Sequence, residues 1–102
     1  MKVLEHVNVA LKANVYFDGK VTSRAIYVGG EKQTLGVVLP GEYVFSTTQP
    51  EKIQVLSGQF EVLLPGASEW KPYGEGSAFD LDADVSFSIR TGEVSEYLCS
   101  YL

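Results

Sequence analysis

Turns interrupt this chain too often for any long helix to form. Asp18-Gly19, Gly29-Gly30, Pro40-Gly41, Ser57-Gly58, Pro65-Gly66, Gly74-Glu75-Gly76 and Thr91-Gly92 punctuate its 102 residues. Each combines residues that accept left-handed backbone or preset a bend. Between them lie short runs rich in Val, Ile, Phe, Tyr and Thr, which suit a pleated, half-buried surface. The pattern predicts strands near 14–17, 20–28, 34–39, 42–47, 52–57, 59–64, 77–81, 85–90 and 95–101. Val85-Ser86-Phe87-Ser88-Ile89-Arg90 alternates cleanly, with Val85, Phe87 and Ile89 on the buried face. No stretch keeps helical spacing over three turns. Residues 3–13 read as one amphipathic turn or an edge strand. Many short, evenly spaced strands point to an all-β sandwich or closed barrel.

A chain of this length holds one core, and 45% apolar residues can fill it. There is no linker, repeat or low-complexity stretch. The formal charge of −5 argues against nucleic-acid binding, which relies on Lys and Arg neutralising phosphates. A small anion remains possible, since a single cation with backbone N–H groups can hold a phosphate. Cys99 and His6 are each the sole residue of their type. Neither an intramolecular disulfide nor a thiolate or multi-histidine metal site can be built from them, and His6 reads as a solvated or capping residue. Met1-Lys2 leads into Glu5, His6 and Asn8 rather than the apolar core of a signal peptide. No apolar run approaches the ~20 residues of a membrane span. A cytoplasmic protein with no membrane contact is the expectation.

Glu51-Lys52-Ile53-Gln54-Val55-Leu56-Ser57-Gly58 has the E-x6-G form that ends the first cupin motif, and Pro40-Gly41 opens a strand as that motif's start does. The second motif is similar to the stretch from Gly76, with Asp82 and Asp84 in its Pro and Gly slots. The three positions where metal-binding cupins carry histidine hold Phe45, Thr47 and Phe87. These side chains offer no imidazole or soft donor to a transition metal. The resemblance implies a single-domain cupin-type β-barrel, a jelly-roll-like double-stranded β-helix, that has lost its metal ligands.

Longer segments narrow the match. Tyr16-Phe17-Asp18-Gly19-Lys20-Val21, Gly41-Glu42-Tyr43-Val44-Phe45-Ser46-Thr47, Val62-Leu63-Leu64-Pro65, Trp70, Gly76-Ser77-Ala78-Phe79 and Tyr97-Leu98-Cys99-Ser100-Tyr101-Leu102 resemble the pyrimidine/purine nucleoside phosphorylase family. The resemblance runs from about Asn14 to Leu102, leaving residues 1–13 as an extension packed on, or pairing with, a barrel over 14–102. It implies phosphorolysis of purine and pyrimidine nucleosides to free base and α-D-ribose 1-phosphate, with broad base specificity. Inorganic phosphate would be co-substrate, and no metal or other cofactor would be needed.

Alternation places Tyr43, Phe45 and Thr47 on one face, taken as the interior because the cupin ligand positions are 45 and 47. On that basis Phe45 and Phe87, with Tyr43, are expected to wall the base or sugar. Thr47 would donate to ribose or phosphate, Glu51 would bind ribose hydroxyls, and Ser46 would add a hydroxyl. Stacking walls suit broad base tolerance, because every base has a π face. For phosphate the candidates are Lys32, expected in a Gly29–Thr34 loop, and Arg24, which is off phase with Ser23 so that only one faces inward. Arg90 falls on the outward phase.

Other patterns fail. Asp80, Asp82 and Asp84 begin like a calcium loop, but Val85 and Thr91 stand where its Gly and Glu belong. Gly74-Glu75-Gly76 opens like a dinucleotide fingerprint, yet Phe79 replaces the third glycine. The competing readings are a non-catalytic cupin module binding a nucleotide, sugar or small acid, and a structural barrel packed solid by Phe45 and Phe87. A homodimer is expected, with the aromatic terminus Tyr97–Tyr101 adding a strand or patch to a partner.

Overall fold

The computed structural model describes residues 2–102, so Met1 of the expected extension lies outside the described residues. In chain order the strands are β1 (Asn8–Val9), β2 (Asn14–Tyr16), β3 (Val21–Val28), β4 (Glu31–Val38), β5 (Gly41–Ser46), β6 (Glu51–Ser57), β7 (Gln59–Leu63), β8 (Lys71–Gly74), β9 (Ala78–Leu81), β10 (Ser86–Thr91) and β11 (Ser95–Tyr101). A tight turn at Phe17–Gly19 joins β2 to β3. Among the described residues no helix is long and apolar enough to cross a membrane.

The strands form two sheets. One runs β1-β3-β4-β11-β6-β9, with β2 also on β3; the other runs β5-β10-β7-β8. Two separate ladders face each other, so the expected barrel is realised as a jelly-roll-like sandwich rather than one closed ring of hydrogen bonds. Between them lies one core that includes Val38, Val55, Phe60, Val62, Phe87 and Ile89. Phe87 and Ile89 lie on the inward phase that alternation predicted for their strand.

Three local findings correct the sequence reading. Gly29 and Gly30 take φ of 57° and 84°, which closes a two-residue hairpin, and β4 starts at once at Glu31. Lys32 is therefore on a strand, not in a loop. Lys71-Pro72-Tyr73-Gly74 is a strand that Pro and Gly disguise; it is tolerated because β8 is an edge strand bonded only to β7. Strand β11 lies between β4 and β6 and pairs with both, so it has no free edge to offer a partner.

The N-terminal segment resolves as an edge strand. Asn8 and Val9 pair with Tyr27 and Ile26 of β3, while β2 pairs with the other half of the same strand. His6 is exposed at φ 57°. Asp84, which stands in the glycine slot of the second cupin motif, also takes φ 58°. Aspartate visits the left-handed region more easily than most residues, so the bend survives without the glycine.

Candidate active site

A cavity of about 460 Å³ lies between the sheets. The inward phases of β4, β11 and β6 supply Lys32, Thr34, Tyr97, Cys99, Tyr101 and Glu51 on one side. The four-stranded sheet supplies Phe45 and Phe87 opposite. A side wall comes from Asn14, Tyr16 and Phe17, with Ser23 beside them. The seven-stranded sheet thus carries the charged groups and most of the hydroxyls, together with the Tyr97, Tyr101 and Phe79 rings, while the lining from the four-stranded sheet is mainly apolar and aromatic.

On the polar wall, cross-strand pairing sets the order. Tyr101 is opposite Glu51, and Cys99 sits between Thr34 and Ile53. The ammonium of Lys32 lies 5.9 Å from the centre of the Tyr101 ring. Lys32 and Glu51 therefore flank Tyr101 on strands one apart, which sets their backbones about 10 Å from each other. Lys32 is exposed and Glu51 half-buried. The Cys99 thiol donates to Glu51 Oε1 at 3.4 Å.

Burial disfavours charge on this wall. It raises the Glu51 carboxyl above the ordinary carboxylate value, with the Cys99 hydrogen bond pulling partly the other way. Cys99 is pushed up to about 12, by burial first and then by the neighbouring Glu51 charge. Tyr97 and Tyr101 are raised too, mainly by burial, so both phenols stay protonated and able to donate.

On the aromatic wall, the Phe45 and Phe87 rings stack 5.8 Å apart with 23° between their planes. Phe79 meets Phe87 edge-on at 6.2 Å. These rings leave the interior open rather than filling it, which removes the reading of a solid structural barrel. Positions 45, 47 and 87 carry two rings and a hydroxyl, and among the described residues no three His, Cys, Asp or Glu side chains converge as a metal set.

The structure brings Phe45, Phe87, Glu51 and Lys32 to one cavity. Ser46 is at its exposed margin, hydroxyl to hydroxyl with Ser86 at 3.0 Å. Three other candidates lie elsewhere. Tyr43 is buried in the core, and its hydroxyl donates to the Leu39 carbonyl at 2.8 Å. Thr47 is buried as well: its Oγ1 donates to the Asp82 carbonyl at 2.6 Å and accepts from the Val85 N–H at 3.1 Å. Arg24 is exposed while Ser23 takes the inward phase. Arg90 is outward as expected, paired with Glu61 at 3.2 Å and stacked on Trp70 at 4.1 Å.

Sequence reasoning missed Phe17 and Asn14, left Ser23 and Arg24 as alternatives for one inward position, and gave Tyr97 and Tyr101 to a partner. The alternation of β11 already placed Tyr97, Cys99 and Tyr101 on one phase; only the sheet order shows that this phase faces the cavity.

A family model described as pyrimidine/purine nucleoside phosphorylase matches residues 11–101. A protein of Syntrophotalea carbinolica named pyrimidine/purine nucleoside phosphorylase is 48% identical over 103 residues, covering 100% of this chain and 99% of its own. Among solved structures, a protein of unknown function from Acinetobacter sp. ADP1 superposes with a TM-score of 0.95 at 34% identity, covering 98% of each chain. An RmlC-like cupin from Shewanella frigidimarina gives a TM-score of 0.70 at 14% identity, over 98% of this chain and 86% of its own. That last likeness shows the cupin fold alone.

Proposed function

Because the chain belongs to the pyrimidine/purine nucleoside phosphorylase family, we propose that it catalyses phosphorolysis of both purine and pyrimidine nucleosides to free base and α-D-ribose 1-phosphate. The C1′–N bond breaks, and its electron pair leaves with the base, which takes up a proton. A phosphate oxygen forms the new C1′–O bond on the opposite face of the sugar. The step is redox-neutral, and inorganic phosphate is its only co-substrate.

The observation that carries this reading is the division of one cavity into a polar and an aromatic wall. Phe45 and Phe87 offer ring faces to the base. Their contact is indifferent to base edges, which supports broad acceptance. Glu51 accepts from the ribose hydroxyls. Lys32, the cation among the lining residues, holds phosphate across Tyr101 from Glu51. Keeping sugar and anion in one site gains the advantage of a reaction between pre-oriented partners, and the ammonium offsets phosphate charge as the sugar turns cationic.

Release of free base from uridine, adenosine and guanosine, with and without phosphate, tests the proposal. Release only with phosphate, with ribose 1-phosphate formed in equal amount, is expected. Release that ignores phosphate makes the protein a hydrolase. Ligand-dependent thermal stabilisation with no product makes it a binding module.

A further inference from the structure

Phe17 lies outside both cupin motifs and on neither face-to-face sheet. It belongs to the turn joining β2 to β3, yet its ring spans to the opposite sheet. The Phe17 ring lies 5.0 Å from Tyr43 and 5.6 Å from Phe45, edge-on to the latter at 73°. Phe45 in turn stacks on Phe87. Among the rings that line the cavity, these three phenylalanines form a graded series, from Phe87 at 6% exposure through half-buried Phe45 to Phe17 at 43%. A ring exposed to that degree is a poor core filler.

Its backbone is also costly. Phe17, Asp18 and Gly19 take φ of 51°, 55° and 88° in succession. Glycine does this freely and aspartate tolerably, but a bulky side chain in the left-handed region is an outlier. Such strain persists only where the surroundings over-determine it, and it collects at ligand clamps. Here the surroundings are visible: β2 is pinned by its pairing with β3 and by an Asn14 amide donating to Ser23 Oγ at 3.2 Å, and Tyr43 and Phe45 hold the ring from the far side.

We infer that Phe17 is a base-contacting residue, the outer ring of an aromatic slot whose inner rings are Phe45 and Phe87. Its ligand is the flat heterocycle of the nucleoside, not the sugar or phosphate. The assignment rests on the nucleoside reading of the cavity.

The test is direct binding to Phe17→Leu, Phe17→Ala and Phe17→Tyr, using adenosine, free adenine and ribose 1-phosphate as separate probes. Leucine keeps apolar contact with Tyr43 but removes the π face, so it guards against a collapse of the alanine variant. Base stacking corresponds to a loss of about tenfold or more on truncation. Phe17→Leu is expected to lose about that factor for adenosine and adenine and to keep wild-type affinity for ribose 1-phosphate, with Phe17→Tyr restoring both. Unchanged adenine affinity in the leucine and alanine variants overturns the inference, as does an equal loss for ribose 1-phosphate. A wild-type chain that binds adenine but shows no phosphate-dependent turnover sinks the phosphorolysis reading and leaves Phe17 standing. A wild-type chain that binds neither base nor nucleoside sinks both.

Discussion

Tyr97 lies across Gly36 so closely that no side chain fits at position 36. A Cβ built there would overlap the Tyr97 ring carbons and crowd its hydroxyl. The two residues are cross-strand partners on β11 and β4, and the missing side chain is what lets the phenol lie flat on the polar wall. Gly36→Ala is therefore expected to destabilise the fold by about 1–3 kcal/mol through overpacking. Adding Tyr97→Leu should recover part of that loss, because the two changes share one contact and do not add. Urea unfolding of the two single variants and the double variant measures both effects. Strict additivity would contradict the packing account.

Thr47 is expected to act on stability rather than turnover. Its hydroxyl joins the Asp82 carbonyl to the Val85 N–H and so fixes the loop that carries the left-handed Asp84. Thr47→Val keeps the shape and removes the partner of two part-buried backbone groups, at a cost of about 1–3 kcal/mol. At a temperature where the variant is folded, kcat should stay within a few-fold of wild type. A hundredfold fall in kcat with unchanged stability would instead put the hydroxyl on the substrate.

Much of this was legible in advance, for reasons that differ by residue. The strict alternation around Phe87 translates directly into an inward face, whereas Gly29-Gly30 marks a turn without fixing its length: the expected loop to Thr34 is a two-residue hairpin. Phe45 and Phe87 were found because they stand in ligand positions of a known motif. Lys71–Gly74 escaped because edge strands tolerate the residues that signal turns elsewhere. Ser23 and Arg24 could not be separated, since both are polar and the phase of β3 depends on where it begins. Phe17 was hidden for a different reason: three left-handed residues break the period on which inward and outward assignments rest. Tyr97 and Tyr101 had the right phase, but their face was unknown until β11 was placed between β4 and β6.

Lys32 and Arg24 make a matched control. Both are exposed cations, on paired strands of one sheet, but only Lys32 lines the cavity. Removing a charged hydrogen-bonding partner corresponds to about 1.5–3 kcal/mol, or roughly ten- to hundredfold. Lys32→Ala should raise the KM for phosphate by about that factor with little change in the KM for nucleoside. Arg24→Ala should leave both unchanged. Steady-state kinetics with each substrate varied in turn distinguishes them, and equal effects of the two substitutions would remove Lys32 from the phosphate site.

Cys99 should be inert while the protein is folded. The thiolate is the reactive form, and a thiol pushed up to about 12 from an ordinary 9.0 presents very little of it near neutrality. The side chain is also buried. Iodoacetamide at pH 8 is expected to label the native chain about a hundredfold or more slowly than the chain in denaturant. Comparable rates would mean that the polar wall opens to solvent far more often than its packing allows.

Glu51 gives the stability of the protein a pH dependence of defined sign. Its carboxyl is raised above the ordinary 4.5, chiefly by burial, so the charged form is costlier in the fold than in the open chain. Unfolding releases the group to its ordinary value. The stabilising contribution of the neutral carboxyl is therefore complete below the unfolded pKa and is lost as pH rises through the higher, folded one. Glu51→Gln keeps the shape and removes the titration. Relative to wild type, the glutamine variant should gain stability as pH climbs from about 4 towards neutral and then level off. Urea unfolding of both proteins at closely spaced pH values reads the difference. A constant offset would mean that Glu51 ionises as freely in the fold as in the open chain, and a change of the opposite sign would mean that a cation, rather than burial, governs the carboxyl.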